Sequence, residues 1–171
     1  MENTVLEKFR QGRQSLGTFS AIGSPLAVES LRYTGLDYVI VDTEHSPAGI
    51  ESAAAQIAAA QGAGLTALAR ANEISRTAVL RLLDVGAQGV VVPCVETVEE
   101  VRELVRYAKF APLGNRGFCP TRDGGWGYAA HAASISGYME TSNRETLLLP
   151  QCETVGCLEH IEEITAMDGV D

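Results

Sequence analysis

Short apolar runs alternate with longer amphipathic stretches along most of this chain, and that alternation limits its possible folds. The run from Tyr38 to Asp42 (YVIVD) is almost entirely apolar, and residues 89–93 (GVVVP) repeat the pattern. Strands with this composition are typical of a parallel sheet, because helices cover both of its faces. The alternation therefore predicts a βαβ repeat with right-handed crossovers and a parallel sheet.

Helix-start and helix-stop signals set the predicted boundaries. Ser24 before Pro25 is typical of a helix start, and Thr97 with Glu100 forms a capping box. Strands are predicted at residues 16–20, 38–42, 65–70, 89–93 and 146–153, with another strand opening at 169–171. Helices are predicted at residues 2–11, 24–35, 50–61, 75–86, 97–109 and from 154 to 167.

Residues 112–144 break this alternation. They contain six glycines and the single tryptophan of the chain. We predict a weak fifth strand, a long loop and a helix here. Long loops in compact domains usually carry function or are disordered.

Two α/β architectures fit this pattern, an open doubly wound sheet and a TIM (β/α)8 barrel. A barrel typically needs about 250 residues, whereas the chain has 171 and shows about six βα units, with a seventh strand beginning at its end. The barrel interpretation makes residues 1–171 a single partial barrel domain that is incomplete at its C-terminus.

Composition excludes several classes of protein. A net charge of −9 and a pI of about 4.8 argue against a nucleic-acid partner, because that binding depends on Lys and Arg neutralising phosphates. Residues 1–13 lack the apolar stretch of a signal peptide, and no apolar run is long enough to span a membrane. The four cysteines form no CxxC pair, so we expect reduced thiols and a cytoplasmic location.

Charged and polar side chains follow three of the predicted strands. In a parallel barrel the carboxyl ends of all strands meet at one mouth, where active sites lie. The alternative explanation is that these strand ends carry polar side chains because they meet solvent. The side chains that we expect to meet at the mouth are Asp42, Glu44, His45, Arg70, Gln151 and Glu153.

These residue types suit chemistry on a small keto acid. Glu153, with Asp42 or Glu44, offers the hard oxygen donors that Mg²⁺ or Mn²⁺ prefers. His45 could act as a general base. Arg70 could hold a carboxylate or stabilise an oxyanion. Together they indicate formation of an enolate.

The lysines argue against a Schiff-base aldolase, which needs a lysine at the barrel mouth. Lys8 lies in the first predicted helix and Lys109 ends the helix that begins near Thr97. Neither is at a strand end, so a carbonyl substrate would need activation by a metal ion.

Several segments together resemble the HpcH/HpaI aldolase family of metal-dependent pyruvate aldolases. They are DTEH at 42–45, LLDVGA at 82–87, PLGNRG at 112–117 and QCET at 151–154, and they occur in the family's order. The resemblance covers nearly the whole chain and implies a TIM barrel.

The resemblance also implies roles for individual residues. His45 would be the catalytic base, supported by Asp42. Arg70 would bind the keto-acid oxygen and stabilise the enolate. Gln151 would line the pyruvate site, and Glu153 would be a metal ligand.

For other positions the resemblance implies a role with less detail. Asp84 would join the proton relay near His45, from a neighbouring subunit. A second metal-binding Asp would lie in a segment after Asp171. The segment 118–128 departs from the pattern of known members, which leaves the acceptor aldehyde open, and Glu44 has a family counterpart without an assigned role.

The expected function is therefore that of a class II aldehyde-lyase, which splits a 4-hydroxy-2-oxo acid into pyruvate and an aldehyde. The substrate would be a 2-keto-3-deoxy sugar acid or a hydroxy-oxo-diacid, and the metal Mg²⁺ or Mn²⁺, with Co²⁺ as an option. The resemblance implies a homo-oligomer, specifically a hexamer. Two alternatives stay open: an acyl-CoA lyase acting on malyl-CoA or citryl-CoA, and a non-catalytic fragment or keto-acid-binding module.

Overall fold

Five parallel strands form one sheet in the computed structural model, which describes residues 3–171. Their order in space is their order in the sequence, β1-β2-β3-β4-β5. A doubly wound sheet reverses its strand order at a switch point, whereas a barrel adds each new strand beside the last. The uniform order therefore favours the barrel. The strands are β1 (Gly17–Ser20), β2 (Tyr38–Asp42), β3 (Thr66–Arg70), β4 (Gly89–Val92) and β5 (Leu147–Pro150).

Helices connect the strands, and side-chain caps fix where several of them start. The Ser24 hydroxyl accepts from the Ala27 N–H, and the predicted capping box of Thr97 and Glu100 is present. The helices are α1 (Thr4–Arg10), α2 (Pro25–Ser30), α3 (Ile50–Gly62), α4 (Arg76–Asp84), α5 (Val98–Ala108), α6 (Ile135–Glu145), α7 (Val155–Glu159) and α8 (Ile161–Thr165).

The predicted fifth strand within residues 112–144 is wrong. This segment forms two 3₁₀ turns, at Arg122–Gly127 and Ala130–Ala132, followed by α6. It lacks the continuous apolar run of a buried strand, and its buried residues include the charged Arg116 and Asp123. The strand before Gln151 is therefore the fifth of the sheet, and the predicted count of six βα units was one too many over residues 3–171.

Smaller differences lie at helix ends and at the end of the chain. The helix predicted for residues 154–167 is divided at His160 into α7 and α8, and α2 is continued by a 3₁₀ turn at Leu31–Tyr33. Residue 2 of the first predicted helix lies outside the described residues. No strand is assigned at 169–171, but the Asp171 N–H donates to the Leu148 carbonyl at 3.0 Å, beside β5.

Alternate residues along each strand face two different layers. Val39 and Val41 of β2 join the large core beneath the helices, whereas Ile40 faces the other side, packing with Leu68 of β3 and Val5 of α1. Because side chains alternate along a strand, Asp42 and Arg70 lie on the same side as Ile40 and Leu68, one repeat further on. The strand pattern thus places both charged residues on the face of the sheet that carries Ile40 and Leu68, called the inner face below.

Among residues 3–171, no helix combines the length and apolar character needed to cross a membrane.

Candidate active site

The last residues of β2 and β3 form the centre of the site. Asp42 and Arg70 are directly paired in the parallel register. Arg70 Nε donates to Asp42 Oδ1 at 3.0 Å, and Nη2 donates to Oδ2 at 2.6 Å. Their side chains are only 4% and 12% exposed. This two-point contact fixes the plane of the guanidinium, as is typical of paired arginine and carboxylate groups.

Two further groups hold the Arg70 guanidinium. Arg70 Nη1 lies 3.2 Å from Oε2 of Glu44, and the Phe19 ring centroid lies 4.8 Å from the guanidinium carbon. Although Glu44 Oε2 is buried and forms this ion pair, it accepts no hydrogen bond from the described residues. The site therefore contains an aligned cation beside a carboxylate oxygen that can still accept a hydrogen bond.

The charges of this pair stabilise one another. Burial opposes ionisation of Asp42, but the hydrogen bonds from Arg70 and from the Glu44 and His45 N–H groups outweigh it and lower the Asp42 pKa. The hydrogen bond to Asp42, aided by the charges of Glu44 and Glu153, raises the Arg70 pKa against the effect of burial. Asp42 is consequently a carboxylate at neutral pH.

His45 lies at the open side of this cluster, with 71% of its side chain exposed. Its backbone N–H donates to Asp42 Oδ1 at 3.2 Å, and its ring Nε2 lies 3.6 Å from Glu44 Oε2. Asp42 therefore supports His45 through the backbone, while Glu44 is the carboxylate beside the imidazole.

Glu153 and Gln151 follow β5 on the same carboxyl edge of the sheet. Glu153 Oε1 accepts from the Cys94 N–H at 2.7 Å, and Oε2 accepts from Gln151 Nε2 at 3.0 Å. Gln151 Oε1 is buried and has no hydrogen-bond partner in the described part of the chain. Cys94 has a φ of +55°, a strained value for a residue with a side chain, and such strain often occurs at functional sites.

The donor set fits a divalent metal ion only in part. The Glu153 carboxylate and the unpartnered Gln151 Oε1 are hard oxygen donors of the kind that Mg²⁺ and Mn²⁺ prefer. Within residues 3–171, however, no group of three or more His, Cys, Asp or Glu side chains could hold a metal. Any metal ion here would need ligands beyond Glu153 and Gln151.

Asp84 belongs to a different cluster. Its Oδ1 accepts from Arg116 Nη2 at 2.9 Å, and the same Nη2 donates to Asp123 Oδ2 at 2.8 Å. The Tyr138 hydroxyl also donates to Asp123. Burial raises the Asp84 pKa, although Arg116 opposes the shift. The structure therefore does not bring Asp84 to His45 within one chain, and its predicted role in a neighbouring subunit's site stays a prediction.

Both lysines lie at the opposite edge of the sheet, where strands begin. Lys109 Nζ is buried and donates to the carbonyl of Thr146, just before β5, at 2.5 Å. Lys8 pairs with Asp37, just before β2. Burial lowers the Lys109 pKa, while Asp171 opposes that shift. The prediction that neither lysine is at a carboxyl strand end is confirmed.

Sequence reasoning missed three residues that shape these clusters. Phe19 could have been found from strand alternation, since it pairs in register with Ile40 on the inner face. Arg116 was noted only as part of a motif. The unusual backbone at Cys94 has no signal in the sequence, because cysteine does not favour a positive φ.

Known proteins show a consistent likeness. The HpcH/HpaI aldolase/citrate lyase family matches residues 15–171. The chain is 34% identical to a hydroxypyruvate/pyruvate aldolase of Roseovarius nubinhibens, covering 99% of this chain and 64% of that protein. It is 30% identical to a 2-keto-3-deoxy-L-rhamnonate aldolase of Klebsiella pneumoniae, covering all of this chain and 62% of that protein.

A crystal structure of an HpcH/HpaI aldolase from Desulfitobacterium hafniense superimposes with a TM-score of 0.88 at 33% identity, covering 98% of this chain and 63% of that one. The chain thus spans a little under two thirds of these proteins. The likeness confirms the predicted TIM-barrel architecture, present here in part. The chain belongs to the HpcH/HpaI aldolase/citrate lyase family.

Proposed function

We propose that this chain is the catalytic part of a class II aldolase that cleaves a 4-hydroxy-2-oxo acid to pyruvate and an aldehyde. One observation carries the proposal. At the carboxyl edge of the sheet, Arg70 is aligned by Asp42 and Glu44 beside an exposed His45, and both lysines lie at the other edge. The relatives named as aldolases of pyruvate or of a 2-keto-3-deoxy acid support this substrate class.

In this mechanism Arg70 supplies fixed positive charge where negative charge develops. Asp42 occupies its Nε and Nη2, so Nη1, which lies beside Glu44, is the guanidinium nitrogen that would donate to the keto oxygen. Donors oriented in advance stabilise an enolate without reorganising during the reaction, and such a donor is worth about 3–4 kcal/mol.

His45 would take the proton of the 4-hydroxyl group. The C3–C4 bond then breaks and the aldehyde leaves. The enolate of pyruvate takes a proton at C3 from water, and the His45 imidazolium returns its proton to water. The exposure of the imidazole allows it to reach a substrate bound over Arg70 and to exchange its proton with water.

Glu153 would hold the divalent ion together with a second Asp, which the family resemblance places after Asp171. Gln151 would line the pyruvate site. When bound, Mg²⁺, Mn²⁺ or Co²⁺ would polarise the keto group and neutralise part of the enolate charge.

The proposal extends to assembly. We expect a cytoplasmic homo-oligomer, a hexamer by family resemblance, in which Asp84 serves the site of a neighbouring subunit. Its side chain is 24% exposed, in contrast to the sealed Arg116 beside it. That exposure is what contact with a second copy would require.

Pyruvate release from a panel of hydroxy-keto acids tests the reaction, with Mn²⁺, with Mg²⁺ and with EDTA. We expect activity that needs a divalent ion and survives borohydride treatment in the presence of pyruvate. A reduced pyruvate adduct on Lys8 or Lys109 would contradict the mechanism. Cleavage of malyl-CoA or citryl-CoA without release of pyruvate from any hydroxy-keto acid would instead favour an acyl-CoA lyase.

His45→Ala separates the base from the metal ligands. We expect turnover to fall about 10²–10⁴-fold, as for loss of a general base, while Mn²⁺ binding measured by calorimetry stays close to that of the native protein. Loss of Mn²⁺ binding would show that His45 is a ligand.

A further inference from the structure

We infer that Glu44 is the positioning residue for His45, holding the imidazole as the Nε2–H tautomer so that Nδ1 accepts the substrate proton. The inference rests on the proposed role of His45 as the base. It assigns a function to a carboxylate that the family resemblance leaves without one.

Asp42 engages the guanidinium of Arg70 and two backbone N–H groups, whereas the ring Nε2 of His45 lies beside Glu44. Oδ1 accepts from Arg70 Nε at 3.0 Å and from the N–H groups of Glu44 and His45 at 3.0 and 3.2 Å. Oδ2 accepts from Arg70 Nη2 at 2.6 Å. Among these contacts, Asp42 meets His45 at its backbone N–H and not at its ring.

Glu44 offers an unused acceptor beside the imidazole. Its Oε2 is buried and accepts no hydrogen bond from the described residues. This oxygen lies 3.6 Å from His45 Nε2 and 3.2 Å from Arg70 Nη1. A buried acceptor left without a donor carries a free-energy cost, and a small rotation of the exposed imidazole would remove it by bringing Nε2–H into hydrogen-bond range.

The contact with Arg70 explains why Glu44 can orient a second group. The Glu44 side chain is 17% exposed and is restrained by the guanidinium, which is itself fixed by Asp42 and by the Phe19 ring. The His45 side chain, in contrast, is 71% exposed. A restrained acceptor beside an exposed imidazole selects one of its two neutral tautomers, since the accepting oxygen requires a proton on the nearer nitrogen.

Once Nε2 carries the proton, Nδ1 presents the lone pair. When substrate occupies Nη1 of Arg70, the Glu44 carboxylate loses that contact and becomes more available to the imidazolium that forms on proton transfer. Glu44 would therefore support the base in its charged state and affect turnover more than substrate binding.

The test compares the intact native protein with Glu44→Met, which keeps the length of the side chain but removes the acceptor, and Glu44→Gln, which keeps a neutral acceptor. Glu96→Met is the matched control, because Glu96 is an exposed carboxylate on the loop after β4 and its loss makes the same change of charge. Nitrogen NMR of the imidazoles at mildly alkaline pH reports the tautomer, and the signals of His45 are assigned by comparison with His45→Gln.

We expect the Nε2–H tautomer in the native protein and in Glu96→Met, and a mixture of tautomers in Glu44→Met. The kcat for pyruvate release should fall about 10–100-fold in Glu44→Met, with partial recovery in Glu44→Gln. Neither substrate binding, measured as KM, nor the affinity for Mn²⁺ should weaken by more than about twofold, because no contact with substrate or metal is removed.

The inference would be overturned by an Nδ1–H tautomer in the native protein, by the same tautomer in native protein and Glu44→Met, or by a raised KM with unchanged kcat. Weaker Mn²⁺ binding by Glu44→Met would overturn it as well, by making Glu44 a ligand. If the native protein releases no pyruvate, the proposed function fails, and the tautomer of His45 still decides whether Glu44 orients the ring.

Discussion

Two arginines in this chain each pair with two carboxylates, yet their surroundings differ sharply. Arg70 lies at a strand end between Asp42 and Glu44, next to an exposed imidazole. Arg116 is 1% exposed and joins Asp84 to Asp123, which is equally buried. An ion pair by itself therefore does not mark a functional site. What distinguishes the Arg70 cluster is a buried carboxylate oxygen that accepts no hydrogen bond from the described residues and lies next to an exposed imidazole.

The Arg116 cluster also holds an irregular segment of the chain in place. Asp123 lies in the 3₁₀ turn at Arg122–Gly127, so its contact with Arg116 anchors the irregular segment before α6. The Phe110 ring covers the guanidinium at 4.8 Å, and the Tyr138 hydroxyl donates to Asp123. The four groups hold the loop to α4 through Asp84.

Arg116→Met should have the largest effect on stability. It leaves Asp123 buried without its cationic partner, which typically costs about 3–5 kcal/mol. Urea unfolding would measure the loss. Arg102→Met is the control, because Arg102 forms exposed pairs with Glu99 and Glu163 that are worth about 0–1 kcal/mol. Equal losses in the two variants would remove the distinction between a sealed and an exposed arginine.

Arg70→Lys should impair catalysis more than it lowers the free energy of unfolding. A lysine cannot reproduce the two-point contact with Asp42 or present a second donor to the enolate. We expect kcat/KM to fall about 10²–10³-fold, equivalent to about 3–4 kcal/mol, with a smaller loss of unfolding free energy. Near-native kcat/KM would mean that a point charge is sufficient and that the fixed guanidinium plane is not used.

Tyr138→Phe makes a smaller change in the Arg116 cluster. The change removes one donor to the buried Asp123 while keeping the ring in place, and a hydrogen bond to a charged group is worth about 1.5–3 kcal/mol. Tyr128→Phe provides the control, since Tyr128 is 94% exposed. Unfolding curves that coincide for the two variants would show that Arg116 alone satisfies Asp123.

The smallest expected effect is on how stability depends on pH. Asp42 and Asp84 should change that dependence in opposite directions. The Asp42 pKa is lowered in the folded state, so the stability it contributes is present above its usual value of 3.8 and is lost as the pH falls. The Asp84 pKa is raised, so its contribution is present at low pH and is lost as the pH rises through the folded-state value.

Asp42→Asn should therefore lose less stability than the native protein on acidification below about pH 4. As the pH rises above about 4, the free energy of unfolding of Asp84→Asn should increase relative to that of the native protein. Urea unfolding at several pH values between about 3 and 6 would measure both slopes. For each variant, the slope is the change with pH of its stability relative to the native protein. Slopes of the same sign in the two variants would contradict the opposite pKa shifts of Asp42 and Asp84.

The sequence predicted the strand-based parts of the site well, because their rules are local. Tyr38–Asp42 was predicted with its observed bounds, and strand alternation accounts for the pairing of Asp42 with Arg70. In the segment 112–144 the predicted loop and helix are present, but the predicted strand is wrong. The shape of this segment depends on the contact between Arg116 and Asp123. The approach of Glu44 Oε2 to the His45 imidazole was equally hidden, because it depends on side-chain conformations that the strand pattern does not specify.

The left-handed backbone at Cys94 has a consequence for how this position tolerates substitution. With φ at +55°, the residue directs its N–H to Glu153, and glycine or asparagine can adopt that conformation with little cost, whereas valine and isoleucine cannot. A saturation library at position 94 selected for folding and activity should therefore be enriched in Gly and Asn and depleted of β-branched residues. The backbone, and not the thiol, would decide which residues are accepted there.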